Sequence, residues 1–193
     1  MIYKCKGGNF LKATGVVRRI DDLGRVVIPK EIRKTLRIRE GDPLEIFTDR
    51  DGEVILKKYS PIGELSEFSG EYAEILSKTT GFACVITDKD TVVSIAGVPK
   101  KEYIDKGISS ELERIIEDRV YFFTKEKTDK TIPITIYDDN AKYNSQIVYP
   151  IIADGDTVGS ISLMSIENKN RIGESEIKIV QTASMLLGKQ LEG

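Results

Sequence analysis

The segment from Lys12 to Tyr59 constrains the fold most, because its apolar residues come in short runs that turn residues interrupt. Strands are predicted for the runs TGVVRRI, RVVIP, PLEIFTD and EVILKKY, and a short helix for PKEIRKTL. DDLG is predicted to be a turn, and PLEIFTD with EVILKKY is predicted to form a hairpin closed by Asp51-Gly52. A unit this small, with open strand edges, is marginally stable as a monomer. We therefore expect an obligate dimer that completes one sheet or barrel; packing on the second domain as an ordinary subdomain is the alternative.

The predicted helix in this segment has clear limits. Pro29 suits its first turn, where a backbone N–H is not needed. Gly41-Asp42-Pro43 cannot continue it, so we expect a short helix.

Residues 60–80 are predicted to form a linker and the first helix of a second domain, residues 81–193. That domain shows two strand pairs, around Asp88-Lys89-Asp90 and Asp154-Gly155, with an acidic helix, SSELERIIEDR, between them. This order predicts an α+β domain with an antiparallel sheet. The segments TKEKTDK and YDDNAKYNS are predicted to be exposed loops.

Two amphipathic helices flank the strands of the second domain. The first has an apolar stripe at three- and four-residue spacing: Leu65, Phe68, Tyr72 and Ile75. The last has one seam with a second row beside it: Ile177, Val180, Ser184, Leu187 and Leu191, then Ile179, Ala183 and Leu186. Most of this surface is expected to pack in the core, and the two helices are the candidates for a second oligomer contact that would give a homotetramer.

The first residues differ from the rest of the chain. Lys6-Gly7-Gly8 can be encoded by a sequence that reads as a ribosome-binding site shortly before Leu11, whose codon can initiate translation. We therefore expect residues 1–11 to be a non-native or disordered extension, a hypothesis that the intact mass of the natively expressed protein would test.

Residue content disfavours an enzyme. The chain has no histidine and only two cysteines, which removes Ser-His and Cys-His dyads and nearly every zinc site, so no cofactor and no metal are expected. Cys84 lies among apolar neighbours and is interpreted as a small buried hydrophobe. A thiol enzyme that uses Cys84 is the alternative. No run is long enough to cross a bilayer, and we expect a cytoplasmic protein without a membrane partner.

Charge is distributed unevenly along the chain. There are 29 basic and 31 acidic residues in all, a net charge of −2, yet the basic ones concentrate before residue 60. On a helix at about 100° per residue, one arc would hold Lys30, Arg33, Lys34 and Arg37, with Ile32 and Leu36 opposite. Arg18, Arg19 and Arg25 add three guanidinium groups, which can bind phosphate and guanine. Double-stranded DNA is one partner that this pattern indicates, and a solvated basic face is the equally weighted alternative.

The run DDLGRVVIPKEIRKTL, within residues 12–59, resembles the AbrB-like swapped-hairpin DNA-binding domain of bacterial transition-state regulators. The resemblance implies that two chains interleave hairpins into one β-barrel and present arginines to DNA, in a nucleoid-associated regulator that represses or activates genes late in sporulation. It also implies that the second domain, whose YPIIADGDTVGSISLMS resembles paired central strands, is GAF-like. Such a domain serves as a dimerisation platform or binds an unidentified small effector; both remain open.

The resemblance also assigns DNA contacts residue by residue. They are Arg18 and Arg19 on the first strand, Arg25 after the Leu23-Gly24 turn, and Arg33 with Lys34 on the helix, to which the basic arc adds Lys30 and Arg37. Lysine lacks the guanidinium fork, so Lys34 is assigned to phosphate. Gly24 is expected to shape the turn, and Asp21 and Asp22 to orient the loop or nearby arginines. Because antitoxins use the same fold, a protein-interaction module is the remaining alternative.

Overall fold

The computed structural model describes residues 2–4, 10–12, 16–64, 66–125, 129–138, 143–166 and 171–192. Contacts within the single chain divide it into two compact units, Met1–Pro43 and Leu44–Gly193, which are described separately. The domain boundary predicted after Tyr59 stays a prediction.

The first unit contains little regular structure. Strands β1 (Ile2–Lys4) and β2 (Phe10–Lys12) pair antiparallel. The non-native or disordered extension over residues 1–11 stays a prediction, as does a start at Leu11, and residues 1 and 5–9 lie outside the described residues. Helix α1 spans Lys30–Thr35, as the sequence predicts. Pro29 occupies its N-cap, one position before the first turn in which we expected it.

Residues 16–20 and 25–29 form no strand within this chain, so the prediction of two strands there is wrong for a single chain. Most of their apolar side chains face solvent, and Val17 is 89% exposed. The physical reason is the lack of a neighbouring edge, since β-structure requires a second strand to accept its backbone hydrogen bonds. The exposed aliphatic side chains on either side of the turn and within it are Val16, Val17, Ile20, Leu23, Val26 and Val27.

The second unit begins with the predicted hairpin. Strands β3 (Leu44–Thr48) and β4 (Val54–Lys58) pair antiparallel, with Leu44 opposite Lys58 and Thr48 opposite Val54. Gly52 closes the turn at φ 83°, a left-handed conformation that glycine adopts without strain. The prediction of a hairpin here is confirmed.

A five-stranded antiparallel sheet forms the centre of the second unit. Its strands are β5 (Ala83–Asp88), β6 (Val92–Ala96), β7 (Phe122–Phe123), β8 (Tyr143–Ala153) and β9 (Asp156–Ile166), in the order β6-β5-β9-β8-β7. The helices are α2 (Pro61–Glu64), α3 (Ser66–Thr80), α4 (Ser110–Asp118) and α5 (Glu174–Leu191), with a 3-10 turn at Lys100–Glu102. This confirms the predicted α+β class and both strand pairs.

Each face of the sheet has its own apolar core, because alternate residues of a strand face opposite sides. Cys84 and Ile86 pack with α3 and α5, while Ala83 and Val85 pack with α4. The seam of α5 is confirmed, since its buried residues are Val180, Ala183, Ser184, Leu187 and Gly188.

Two glycines allow close approach of backbones, Gly188 between α5 and the sheet and Gly159 between two neighbouring strands of the sheet. A Cβ at Gly188 of α5 would lie 2.0 Å from the carbonyl oxygen of Ile152, and a Cβ at Gly159 of β9 would lie 1.9 Å from that of Thr87. Both positions therefore require glycine for a close approach to backbone.

Two expectations about the second unit are wrong in part. The buried residues of α3 are Ser69, Ala73 and Leu76, because small side chains let this helix approach the sheet. The predicted apolar stripe lies beside this buried face of α3, and its residue Ile75 is 60% exposed. Leu65 lies outside the described residues. The loop expected over YDDNAKYNS ends early, since Tyr143 and Ser145 are buried in β8, and Thr124 of TKEKTDK is buried as well.

No helix among the described residues is both long enough and apolar enough to cross a membrane.

Candidate nucleic-acid interface

The turn at Asp21–Gly24 organises the first part of the basic region. The backbone N–H of Gly24 donates to the carbonyl of Asp21 at 3.0 Å, and that of Asp21 donates to the carbonyl of Arg25 at 3.0 Å. Gly24 has φ 74° and open space around its missing Cβ. Glycine is therefore required here by backbone conformation, which confirms its predicted role in the turn.

Asp21 fixes both the turn and Arg25. Its Oδ1 accepts from the backbone N–H of Leu23 at 3.0 Å and of Arg25 at 2.8 Å, and its Oδ2 accepts from Arg25 Nε at 2.8 Å. The backbone N–H and then the guanidinium of Arg25 hold the pKa of the Asp21 carboxyl below its ordinary value. The prediction that Asp21 orients the loop and a neighbouring arginine is confirmed, and this contact restricts the directions that the Arg25 side chain can take.

Helix α1 presents three of the predicted contact residues on one arc. Lys30 and Lys34 are exposed, and Arg33 is half-buried. No residue of this helix is fully buried. Ile32 is half-buried, whereas Leu36 is 56% exposed, so within one chain the expected apolar inner face is only partly covered.

The helix ends before Arg37, contrary to the prediction that Arg37 lies on its basic arc. Leu36 is the C-cap, and Arg37 follows in the left-handed region at φ 52°. The N–H of Arg37 donates to the carbonyl of Lys34 at 3.3 Å, and the N–H of Ile38 donates to that of Arg33 at 2.7 Å. These two bonds define a Schellman motif at the end of the helix. Its left-handed position, which Arg37 occupies here, is usually filled by glycine. The left-handed backbone turns Arg37 away from the helical spacing.

Arg33 carries an unusual polar atom. Its Nε is buried, and no acceptor for that donor exists among the described residues. A buried unsatisfied donor costs about 1–3 kcal/mol, and buried groups are nearly always paired in folded proteins. The missing acceptor is therefore expected to come from outside this single chain.

Arg18 and Arg19 are adjacent in the unpaired segment before the turn, and both are exposed. If this segment pairs as a strand, successive side chains face opposite sides. The structure brings Arg25 to Asp21 and places Lys30, Arg33 and Lys34 on one helix. It does not place Arg37 on that helix, and the roles of all seven residues in DNA contact stay predictions.

Cys84, the alternative reactive group, is completely buried in β5. Burial raises the pKa of its thiol far above the ordinary value, so the nucleophilic thiolate is disfavoured. The interpretation of Cys84 as a small buried hydrophobe is confirmed.

Among the ion pairs that sequence reasoning missed, the pair of Lys58 and Asp90 is the most buried. Lys58 Nζ lies 2.5 Å from Asp90 Oδ2. Only the two aspartates in the turn Asp88-Lys89-Asp90 signalled that this turn could receive a cation.

Two family models match the chain. The model described as stage V sporulation protein T C-terminal, transcription factor, matches residues 64–192. The model described as antidote-toxin recognition MazE, bacterial antitoxin, matches residues 17–64.

Individual proteins match in the same two parts. Stage V sporulation protein T of Bacillus subtilis (strain 168) is 50% identical over 182 residues, which are 94% of this chain and 99% of that protein. Transition state regulatory protein AbrB of the same organism is 47% identical over 78 residues, which are 40% of this chain and 79% of that protein. The expected AbrB-like character of the first part is confirmed.

The second domain resembles a solved GAF domain. The crystal structure of the GAF domain from Acinetobacter phosphoenolpyruvate-protein phosphotransferase covers 66% of this chain and 81% of its own, with a TM-score of 0.50 and 10% identity. This likeness concerns the fold alone, and it confirms the GAF-like expectation.

Proposed function

Since this chain belongs to the family of stage V sporulation protein T, we propose that two copies of its amino-terminal module form one arginine-rich surface for double-stranded DNA. The chain is a DNA-binding transcriptional regulator of the sporulation type. The finer proposal is that it acts on genes late in sporulation, as an activator, a repressor or both, in the cytoplasm and at the nucleoid, and that it has no enzymatic activity.

One observation carries the proposal of a two-chain surface. The segments on either side of the Asp21–Gly24 turn have the apolar residues of strands, yet Val17 is 89% exposed and Val27 is 70% exposed. A second copy of the same hairpin would supply the missing strand edges and cover these side chains. Swapped hairpins in a homodimer therefore explain why this module is incomplete alone.

The same dimer explains the buried Nε of Arg33. An acceptor from the second chain, or a DNA phosphate, would satisfy this donor. Arg25 and Arg33 are the residues to which we assign the most weight in binding. Arg18, Arg19, Lys30, Lys34 and Arg37 are assigned to phosphates around them.

The second domain is proposed to join dimers into a homotetramer through α3 and α5. Between these helices lies an open groove of about 410 Å³, lined on one side by Tyr72 and Ile75 and on the other by Ile179 and Thr182. A second copy of the domain would cover Ile75, which is 60% exposed. An unidentified small effector of this domain would have to bind one arrangement of the tetramer more tightly than the other in order to regulate DNA binding.

The experiment is a titration of Arg33→Ala against a promoter fragment at several salt concentrations. Each phosphate that the variant no longer neutralises should lower the log–log salt slope by about 0.9, with a cost of about 1–3 kcal/mol if Arg33 also binds a base. Glu40→Ala, at an exposed site after α1, is the control for an unrelated change. An unchanged affinity and slope in Arg33→Ala would remove this residue from the interface.

A second candidate function is protein–protein recognition by the same module, which the match to the MazE antitoxin model over residues 17–64 favours. Purification from nuclease-treated lysate distinguishes the two. A stoichiometric protein partner together with negligible DNA affinity would favour this second candidate.

A further inference from the structure

The hairpin β3–β4 is attached to the second domain by two polar contacts. At the end of β4, Lys58 Nζ lies 2.5 Å from Asp90 Oδ2. Two residues later, Ser60 Oγ donates to Asp88 Oδ2 at 2.9 Å. Both acceptors belong to the turn between β5 and β6. The end of the hairpin and the start of the domain are therefore held at three points: the covalent chain, the ion pair and the hydrogen bond.

The ion pair is shielded from water. The side chains of Lys58 and Asp90 are only 20% and 16% exposed. Surface ion pairs contribute little because solvent screens them and because the two side chains must be ordered. Removing one partner of a shielded pair has a larger effect, since it leaves the other charge desolvated and uncompensated. This pair is consequently suited to hold one geometry rather than several.

The turn that receives the hairpin is held by hydrogen bonds in which the hairpin takes no part. Asp88 Oδ1 accepts from the backbone N–H of Asp90 at 2.8 Å and of Thr91 at 2.6 Å. The carbonyl of Asp90 accepts from the N–H of Ile108 at 2.9 Å. These bonds fix the direction of the Asp88 carboxylate and the backbone position of Asp90, so the turn presents both residues to Lys58 and Ser60 from a held backbone.

The connection between the hairpin and the domain is otherwise very short. Only Tyr59 and Ser60 separate the end of β4 from the start of α2. A link of two residues without side-chain contacts would still allow rotation about its backbone dihedral angles. The contacts on either side of Tyr59 remove that freedom.

We propose that Lys58 and Asp90 are positioning residues, which hold the β3–β4 hairpin of the DNA-binding module in one orientation on the second domain. This inference rests on the proposed function, because the hairpin is taken to be part of the DNA-binding barrel. In an assembly with two barrels, a fixed orientation raises the effective concentration of the second barrel at the DNA once the first has bound. Loosening the attachment weakens binding while every protein–DNA contact of the final complex is kept.

The test is the salt dependence of promoter binding by the full-length Asp90→Asn variant. Affinity should fall on the order of tenfold, a small part of the gain that linked sites can reach. The log–log salt slope should stay at the wild-type value, because the same phosphates are neutralised in the complex. Simple electrostatics predicts the opposite sign for affinity, since this change removes a negative charge.

Asp105→Asn is the matched control, because it makes the same charge change at an exposed site of the same domain. It should leave the affinity unchanged. Lys58→Arg keeps the cation and should retain most of the binding. Equal affinity of Asp90→Asn and wild type would overturn the proposal, as would a salt slope that falls together with affinity.

If Asp90→Asn does not fold, Ser60→Ala takes its place, because it removes the hydrogen bond to Asp88, together with the one that Ser60 Oγ accepts from the N–H of Gly63, and leaves the ion pair intact. Its affinity should fall severalfold at constant slope, and unchanged binding would overturn the proposal. Failure of the proposed function has a different signature, since wild-type protein would then show no salt-dependent binding to the promoter at all.

Discussion

The segment 16–29 and the central sheet of the second domain contain the same kinds of residue in opposite surroundings. Val17 and Val27 are 89% and 70% exposed, whereas Ile161 and Leu163 of β9 are fully buried. In the sheet, β9 has a neighbour on both sides. In the segment, the chain supplies the turn, and none of the described strands lies beside it.

This difference shows which of the two regions buries its apolar residues within one chain and which does not. The second domain has apolar cores on both sides of its sheet, so its folding is expected to depend on its own residues. The first module has its local polar contacts, such as that of Asp21 with Arg25, but its described residues form no apolar core of their own. Stability of the first module should therefore depend on protein concentration, and that of the second domain much less.

The largest effect should come from Val17→Asp. In an isolated chain, a charge at this exposed site would cost little. In the proposed dimer it would bury an unpaired carboxylate, which costs several kcal/mol, so the assembly should dissociate and promoter affinity should fall by about 100-fold or more. Sedimentation and a DNA titration measure both quantities.

Ile136→Asp is the control for Val17→Asp, since Ile136 is a 52% exposed apolar residue of the second domain. It should leave the mass of the assembly and the DNA affinity unchanged. If Val17→Asp also left both unchanged, the segment 16–29 would be a true monomer surface and the contrast between the two regions would disappear.

Gly188→Ala should destabilise the second domain by about 2 kcal/mol, because the added methyl overlaps the carbonyl of Ile152 and α5 must move away from the sheet. Urea unfolding followed by circular dichroism measures this loss, which should be the same at different protein concentrations. Gln181→Ala, at an exposed site of the same helix, serves as the control and should cost less than about 0.5 kcal/mol. Equal stability of the two variants would show that the close contact is easily relieved.

Arg37→Gly should stabilise the first module by about 1 kcal/mol, because glycine adopts the left-handed conformation of Arg37 without steric cost. DNA affinity should nevertheless fall severalfold through the loss of a cation. Arg37→Ala should show the same fall in affinity without any gain in stability. A glycine variant that binds DNA as well as wild type would exclude Arg37 from the interface.

The smallest effect concerns the pKa of Asp21. Because its folded-state pKa is lowered, the carboxylate stabilises the turn above its unfolded pKa of about 3.9, and this contribution is lost as the pH falls through the lowered value. In Arg25→Ala the pKa should rise only part of the way, since the larger cause, the backbone N–H of residue 25, remains. NMR titration of the carboxyl carbon tests this, and full recovery of the ordinary value would assign the shift to the guanidinium alone.

Much of the second domain could be predicted from periodicity. The continuous apolar run at the start of ACVITD and the seam of α5 both correspond to buried positions, because a short apolar run and a helically spaced apolar row are local properties of the sequence. The face of α3 was misplaced since its contact residues are Ser69 and Ala73, which carry no apolar signal. Small residues identify the contact face of a helix only when the position of the backbone that packs against them is known.

The candidate interface could be predicted in residue type but not in geometry. The motif identifies Arg25, Arg33 and Lys34, and the turn chemistry predicts the role of Asp21. The prediction that placed Arg37 on the helix was wrong, because the local sequence pattern does not indicate a left-handed residue that is not glycine. Segment 16–29 forms no strand within one chain, and in the proposed dimer its strand pairing depends on a second copy, so pattern alone overstates what the single chain forms.

The exposed valines of segment 16–29 also have a consequence for gene dosage. A regulator whose DNA-binding unit needs two chains becomes active in proportion to the square of its abundance while chains are scarce. Slow accumulation of the polypeptide would then produce a delayed and comparatively sharp onset of promoter occupancy, without any effector or covalent modification.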